Sequence, residues 1–153
     1  MKAKYINPFL EASINLFRDY LGIKVTNQSP RLLKDTSDLQ EVSGIIGLAG
    51  DTSGAVVLSF SRDTAISIVG RFAGRSFNAL TNDVLDGVGE LVNIIAGNAK
   101  KDLSEFRIAI SIPGVVVGDK YRIRWPDGIP VINIPFESEL GGFSVNVSLK
   151  DAS

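Results

Sequence analysis

The chain has neither cysteine nor histidine among its 153 residues. Without cysteine it has no disulfide, no thiolate nucleophile and no thiolate ligand for zinc or an iron–sulfur cluster. Without histidine it has no imidazole base, no Ser-His-Asp relay and no histidine-held metal. An excess of positive charge is missing too. Sixteen Lys and Arg against 17 Asp and Glu leave a net charge of −1, so nucleic acid is not an expected partner. No apolar run approaches the roughly 18–20 residues that span a membrane. The opening MKAKYINPFLEASINLF lacks the apolar stretch and small-residue cleavage site of a secretory signal. The expectation is a cytoplasmic single domain over residues 1–153, with no membrane association. Its chemistry falls to carboxylates, amides, Lys, Arg, hydroxyls or backbone groups.

The segment Thr81 to Glu105, TNDVLDGVGELVNIIAGNAKKDLSE, is the most informative in the chain. Its periodicity predicts one long amphipathic helix, with Leu85, Val88, Val92, Ile95 and Ala99 as the buried stripe. Asp86, Glu90 and Asn93 fall on the opposite side, within an arc of about 60° at 100° per residue. A carboxylate and an amide one turn apart on a rigid element can grip a partner and orient a water against it. Polar residues at such spacing are also what any solvated helix face carries. Asn, however, is a mediocre helix former, and Asn93 and Asn98 both stand mid-helix.

Around this segment the pattern alternates between helix and strand. Asn7-Pro8 predicts a helix start, with Leu10, Ile14, Phe17 and Leu21 recurring at helical spacing and Gly22 at the C′ position. Ile23 to Asn27 reads as a short strand and Arg31 to Gln40 as a loop or weak edge. Val42 to Ala49 and Ala55 to Phe60 flank Gly50-Asp51-Thr52-Ser53-Gly54, which is hairpin chemistry. Ser61 caps a second helix ending near Gly74. Strands are expected over Ile108–Val117, Tyr121–Trp125, Val131–Pro135 and Phe143–Leu149. In the last, Phe143, Val145, Val147 and Leu149 alternate with Ser144, Asn146 and Ser148, as in a strand with one buried and one wet face. This order predicts an α+β layer architecture with an antiparallel sheet.

Two further signals resolve to plain readings. Gly87-Val88-Gly89 lies inside the helix pattern and lacks the third glycine of a dinucleotide fingerprint. Small residues there let another backbone, or a partner, come close. Lys120, Arg122 and Arg124 alternate with Tyr121, Ile123 and Trp125; at neutral net charge this is the solvated side of a half-buried strand rather than a stacking face for bases.

The run Asp86-Gly-Val-Gly-Glu90-Leu-Val-Asn93, continuing Ile-Ile-Ala-Gly97-Asn98-Ala-Lys100, resembles the CheX/CheC/FliY phosphatases of bacterial chemotaxis, and their CheX members in particular. Their motif is Asp or Ser, three residues, Glu, two residues, then Asn, on a long exposed helix. The opening Ile6 to Glu11 and the hairpin Gly47 to Phe60 are similar too, so the likeness covers most of the chain. It implies the layered CheC/CheX-like fold and a substrate, the phosphoaspartate of a CheY-like receiver domain. Asn93 would orient the attacking water, Glu90 would pair with the receiver's active-site lysine, and Asp86 and Gly97 would contact the partner. The resemblance implies no metal or cofactor of the chain's own, with Mg²⁺ supplied by the receiver. The proline that the family carries on the strand after the helix is matched to Pro113. Glu11 and Asn15 on the first helix are four apart rather than three, so one site per chain is expected. A homodimer joined through sheet edges is also implied; the unbroken Phe143–Leu149 strand suggests an unprotected edge. The competing functional class is a non-catalytic module of the same fold that binds a receiver or a flagellar switch component.

Overall fold

The alternating runs pair into one antiparallel sheet, and the amphipathic segments fold over one of its faces. The computed structural model describes residues 3–33, 39–118, 121, 123–125 and 128–150. In chain order the elements are α1 (Ala3–Leu16), prolonged by a π-helical turn over Phe17–Leu21, then β1 (Thr26–Asn27), β2 (Arg31–Leu32), β3 (Val42–Gly50) and β4 (Gly54–Phe60). There follow α2 (Arg62–Ala73), α3 (Asn82–Lys101), β5 (Ile108–Ile110), β6 (Gly114–Val117), β7 (Ile132–Glu137) and β8 (Phe143–Leu149). The sheet runs β1-β7-β8-β4-β3-β5, with β2 beside β1 on β7 and β6 beside β5 on β3. Every pairing is antiparallel. The expected α+β architecture is present.

Register explains the core. Val42, Phe60, Phe143 and Phe136 align across four strands, and all four are buried beneath the helices. Phe143 stacks on Phe136 at 5.1 Å and on Phe17 of the π turn at 4.6 Å. The next rows bring Leu58, Val145 and Ile134, then Ile46, Val56 and Val147, to the same face. Burying each of these side chains contributes about 1.5–3 kcal/mol. The helices end as their sequences dictate. Ser61 and Thr81 accept hydrogen bonds from Thr64 N and Val84 N at the starts of α2 and α3. Gly22 and Gly74 close α1 and α2 at φ 68° and 69°, where a β-carbon is disfavoured.

Several expectations need correction. Helix α1 begins at Ala3, not at Asn7-Pro8, and Pro8 lies inside it. Tyr5 and Ile6 are buried and Tyr5 packs on Phe106, so tertiary burial draws in an extra turn despite the hydrogen bond that proline cannot donate. Helix α3 stops at Lys101 rather than Glu105, because Leu103 must turn inward to be buried. The expected strand 108–117 is two strands. Three steps along β3, from Ile45 to Leu48, are matched by four from Ile110 to Gly114, so a bulge separates β5 from β6. The described part of 121–125 is not a strand, although Ile123 and Trp125 are half-buried and Arg124 exposed as expected; Lys120, Arg122, Pro126 and Asp127 lie outside the described residues.

The largest difference concerns β8. It is neither half-wet nor an edge: it lies between β4 and β7, and all seven of its residues are buried. Its polar face forms a hydrogen-bonded layer. Asn133 Nδ2 donates to Asn146 Oδ1 at 2.6 Å, and Asn146 Nδ2 donates to Ser144 Oγ and Val57 O. In the adjoining strands Ser43 donates to Ser59 at 3.0 Å, and Tyr121 reaches over to bond Ser43 at 2.5 Å. Ser144 and Asn146 tolerate burial here because partners are supplied; Ser148 Oγ, further along the same face, is buried without a partner among the described residues. Alternation in sequence reported the chemistry of the two faces, not their exposure. The β8 argument for an edge-joined homodimer therefore falls away.

Candidate functional site

Helix α3 is fixed from below by its fit to its neighbours. Val84, Val88, Leu91, Val92, Ile95 and Ala99 are fully buried, and Leu85 is partly so. The sheet makes room through Gly44: a methyl group there would lie 3.0 Å from Val92 Cγ1 and 3.1 Å from Val88 Cγ1. On one side α2 approaches so closely that a methyl on Gly87 would collide with Val69. On another, Gly89 is covered by Pro113 and Val115, each 3.5 Å from where its β-carbon would stand. The expected role in close approach is met at Gly87; at Gly89 a β-carbon would find ordinary van der Waals contact.

This fit leaves one ridge free. Asp86 and Glu90 are exposed; Asn93 and Gly97 are half-buried along the same line. Among the described residues, no side-chain hydrogen bond or ion pair involves Asp86, Glu90 or Asn93. Asp83, one turn earlier, differs: its carboxylate lies 3.8 Å from Arg75. Gly97 is the glycine of α3 whose β-carbon would meet nothing within 4 Å, so no packing among the described residues calls for it.

The bulge places Pro113 on Gly89. That residue is three after Asp86 and four before Asn93, so it adjoins both on the helix surface. Pro113 therefore belongs to the wall of the ridge. Sequence reasoning matched the proline but missed Gly44 and the bulge. Gly44 interrupts an otherwise apolar inward row (Val42, Ile46, Leu48), and that interruption was the available signal.

Asp86 and Glu90 stand open to solvent, which suits a protein surface rather than an enclosed small molecule. A cavity of about 470 Å³ lies elsewhere, between the end of α2 and Phe77, and contains none of the ridge residues. Among the described residues no three carboxylates gather into a group that could hold a metal ion, and no helix is long and apolar enough to cross a membrane. Glu11 and Asn15 are both exposed on α1.

The chain is similar to known chemotaxis proteins. Residues 42–137 match the family Chemotaxis phosphatase CheX. The CheY-P phosphatase CheX of Thermotoga maritima is 28% identical over 127 residues, covering 81% of this chain and 82% of its own. The crystal structure of the chemotaxis protein CheX from Vibrio vulnificus is 32% identical with a TM-score of 0.87, covering 97% of this chain and all of its own. A CheX–CheY–BeF3–Mg²⁺ complex from Borrelia burgdorferi gives 26% identity and a TM-score of 0.81, covering 96% of this chain and 98% of its own. Family match and fold agree: the chain belongs to the CheX family of chemotaxis phosphatases.

Proposed function

We propose that this protein hydrolyses the phosphoaspartate of a CheY-like response regulator, acting in the cytoplasm, with Asn93 orienting the attacking water. The observation that carries this reading is the free ridge of α3: Asp86, Glu90 and Asn93 in line, without internal partners among the described residues, on a helix fixed by Gly44, Gly87 and Gly89. The relative from Thermotoga maritima is a CheY-P phosphatase, and the relative from Borrelia burgdorferi is seen with CheY, BeF3 and Mg²⁺.

The chemistry fits the composition. Water oxygen attacks phosphorus, the bond from phosphorus to the aspartyl oxygen breaks, and the products are free phosphate and the regenerated carboxylate. An acyl phosphate is already activated, so the phosphatase needs no nucleophile of its own. A carboxamide is no base near neutral pH; the Asn93 side chain can hold the water in line, as the glutamine of GTPases does, and so lower the entropic part of the barrier. Glu90 pairs with a lysine of the receiver's active site and sets the register of the helix; Asp86 and Gly97 add contacts on either side. The Mg²⁺ belongs to the receiver, where it offsets phosphoryl charge; the relative seen together with CheY, BeF3 and Mg²⁺ supports this reading.

The direct test is phosphate release from a CheY receiver charged with acetyl phosphate, with and without the protein. Release at the receiver's own slow rate in both cases would remove the proposal. Sedimentation of the protein alone measures whether it is the homodimer expected for the family.

A further inference from the structure

Ile112 is 89% exposed, far more than any other large apolar side chain among the described residues; Leu32, next, is 59% exposed. An isolated exposed isoleucine needs no explanation in a loose loop, but Ile112 directly follows a residue that is hydrogen-bonded to β3. It stands in the bulge between β5 and β6, directly before Pro113. Ser111 fastens the base of the bulge to β3: its N–H donates to Gly47 O at 2.9 Å, and its hydroxyl accepts from Gly47 N and donates to Ile112 O, each at 2.9 Å. On the other side Pro113, itself exposed, lies over Gly89, its ring 3.5 Å from where a β-carbon would stand, between Asp86 and Asn93 on the helix surface. Proline, which cannot donate to the ladder, suits such a break, and bulges commonly re-aim a side chain beside a functional site.

We infer that Ile112 is an apolar anchor for the phosphorylated receiver, seated against an apolar patch flanking its phosphoaspartate while Asn93 reaches the phosphoryl group. This rests on the proposed phosphatase function and adds to it a specificity-determining contact outside the helix. The occupant follows from continuity: the knuckle is joined through Pro113 to the ridge that carries Asn93, so a receiver docked on the ridge meets Ile112. The anchor supplies the apolar burial that the polar ridge lacks, as the few dominant residues of an interface do.

The test is steady-state dephosphorylation of CheY charged with acetyl phosphate by the wild type, Ile112→Ser and Ile112→Leu. Removing one buried isoleucine from an interface raises KM roughly tenfold to a hundredfold. The turnover at saturation stays near wild type and Ile112→Leu restores KM, because the side chain touches no reacting atom. The melting temperature is unchanged for both variants, since the residue is exposed. A wild-type KM in Ile112→Ser, with the wild type active, overturns the anchor and leaves the phosphatase reading standing. A wild type without activity overturns both. A shift in the sedimentation of Ile112→Ser alone, with KM unchanged, reassigns the knuckle to a contact between two copies of the chain.

Discussion

Helices α1 and α3 pack against each other, and each shows solvent a Glu and an Asn about one turn apart. Glu11 and Asn15 are separated by about 40° around their axis, and Glu90 and Asn93 by about 60°. Angular proximity alone therefore favours α1 over the helix proposed to carry the site. What separates the two is their surroundings. α1 contains Pro8, runs into a π turn, and ends in an exposed pair, Arg18 to Asp19 at 2.9 Å, whose hydrogen bond holds the Asp19 carboxyl below the usual range. α3 is an uninterrupted 20-residue helix capped by Thr81. It carries three glycines where α1 has none, although each costs a helix about 1 kcal/mol relative to alanine. Two lie against Val69 and Pro113, and the third is matched by nothing among the described residues. A site on a helix is better recognised from what holds and flanks the face than from the residues on it.

The largest effect breaks the comparison outright. If Asn93 orients the water, Asn93→Ala lowers single-turnover dephosphorylation about 10²–10³-fold, the usual loss on removing one preorganised group. Receiver binding persists. The double change of Glu11 and Asn15 to alanine on α1 alters the rate by no more than about twofold, as exposed substitutions do. Single-turnover kinetics on the two variants side by side checks both statements. Equal losses would mean that α1 carries a site as well; full activity in Asn93→Ala would sink the water-positioning role.

A second test addresses rigidity. Gly87→Ala drives a methyl into Val69 and must push α2 away from α3, a loss of about 1–3 kcal/mol of stability in urea or thermal unfolding. An alanine there without cost would mean that the packing of α2 on α3 is looser than the contact implies.

Glu90 comes next. Glu90→Ala weakens receiver binding by about 1–2 kcal/mol, or roughly five- to thirtyfold, and flattens the salt dependence of binding, since the lost pair spans an interface. The rate at saturation changes much less than in Asn93→Ala. Titration of binding at two ionic strengths gives the answer; salt-independent weakening would remove the lysine pairing.

The comparison also explains what was legible in the sequence. The elements with strong periodicity were readable: the stripe of α3, the hairpin around Gly50 to Gly54, the capped α2, and the antiparallel α+β arrangement. The line Asp86, Glu90, Asn93 was readable because helical geometry follows from spacing. What failed depended on tertiary placement. Alternation along Phe143–Leu149 cannot say that β8 is central and covered on both faces, because buried Ser144 and Asn146 with partners look the same in sequence as exposed ones. The bulge at Ser111–Pro113 escaped because it exists only in the register of β5 and β6 against β3. Pro8 misled because its preference for a helix start was outweighed by the burial of Tyr5 and Ile6.

The smallest expected effect is the most discriminating between the two helices. Gly97 lies four residues beyond Asn93, and a methyl group there meets nothing within 4 Å. Gly97→Ala should therefore stabilise the isolated protein by about 0.5–1 kcal/mol, the helix propensity that glycine forgoes. A glycine at that cost, on the ridge and without a neighbour among the described residues, suits a surface that comes close from outside. If the receiver does so, the same methyl stands in the interface, and Gly97→Ala weakens receiver binding while strengthening the fold. Opposite signs in a thermal melt and a binding titration would be the mark of a partner contact. A methyl that stabilises the protein and leaves receiver binding untouched would confine the interface to Asp86, Glu90 and Asn93, and make Gly97 a position that simply tolerates glycine.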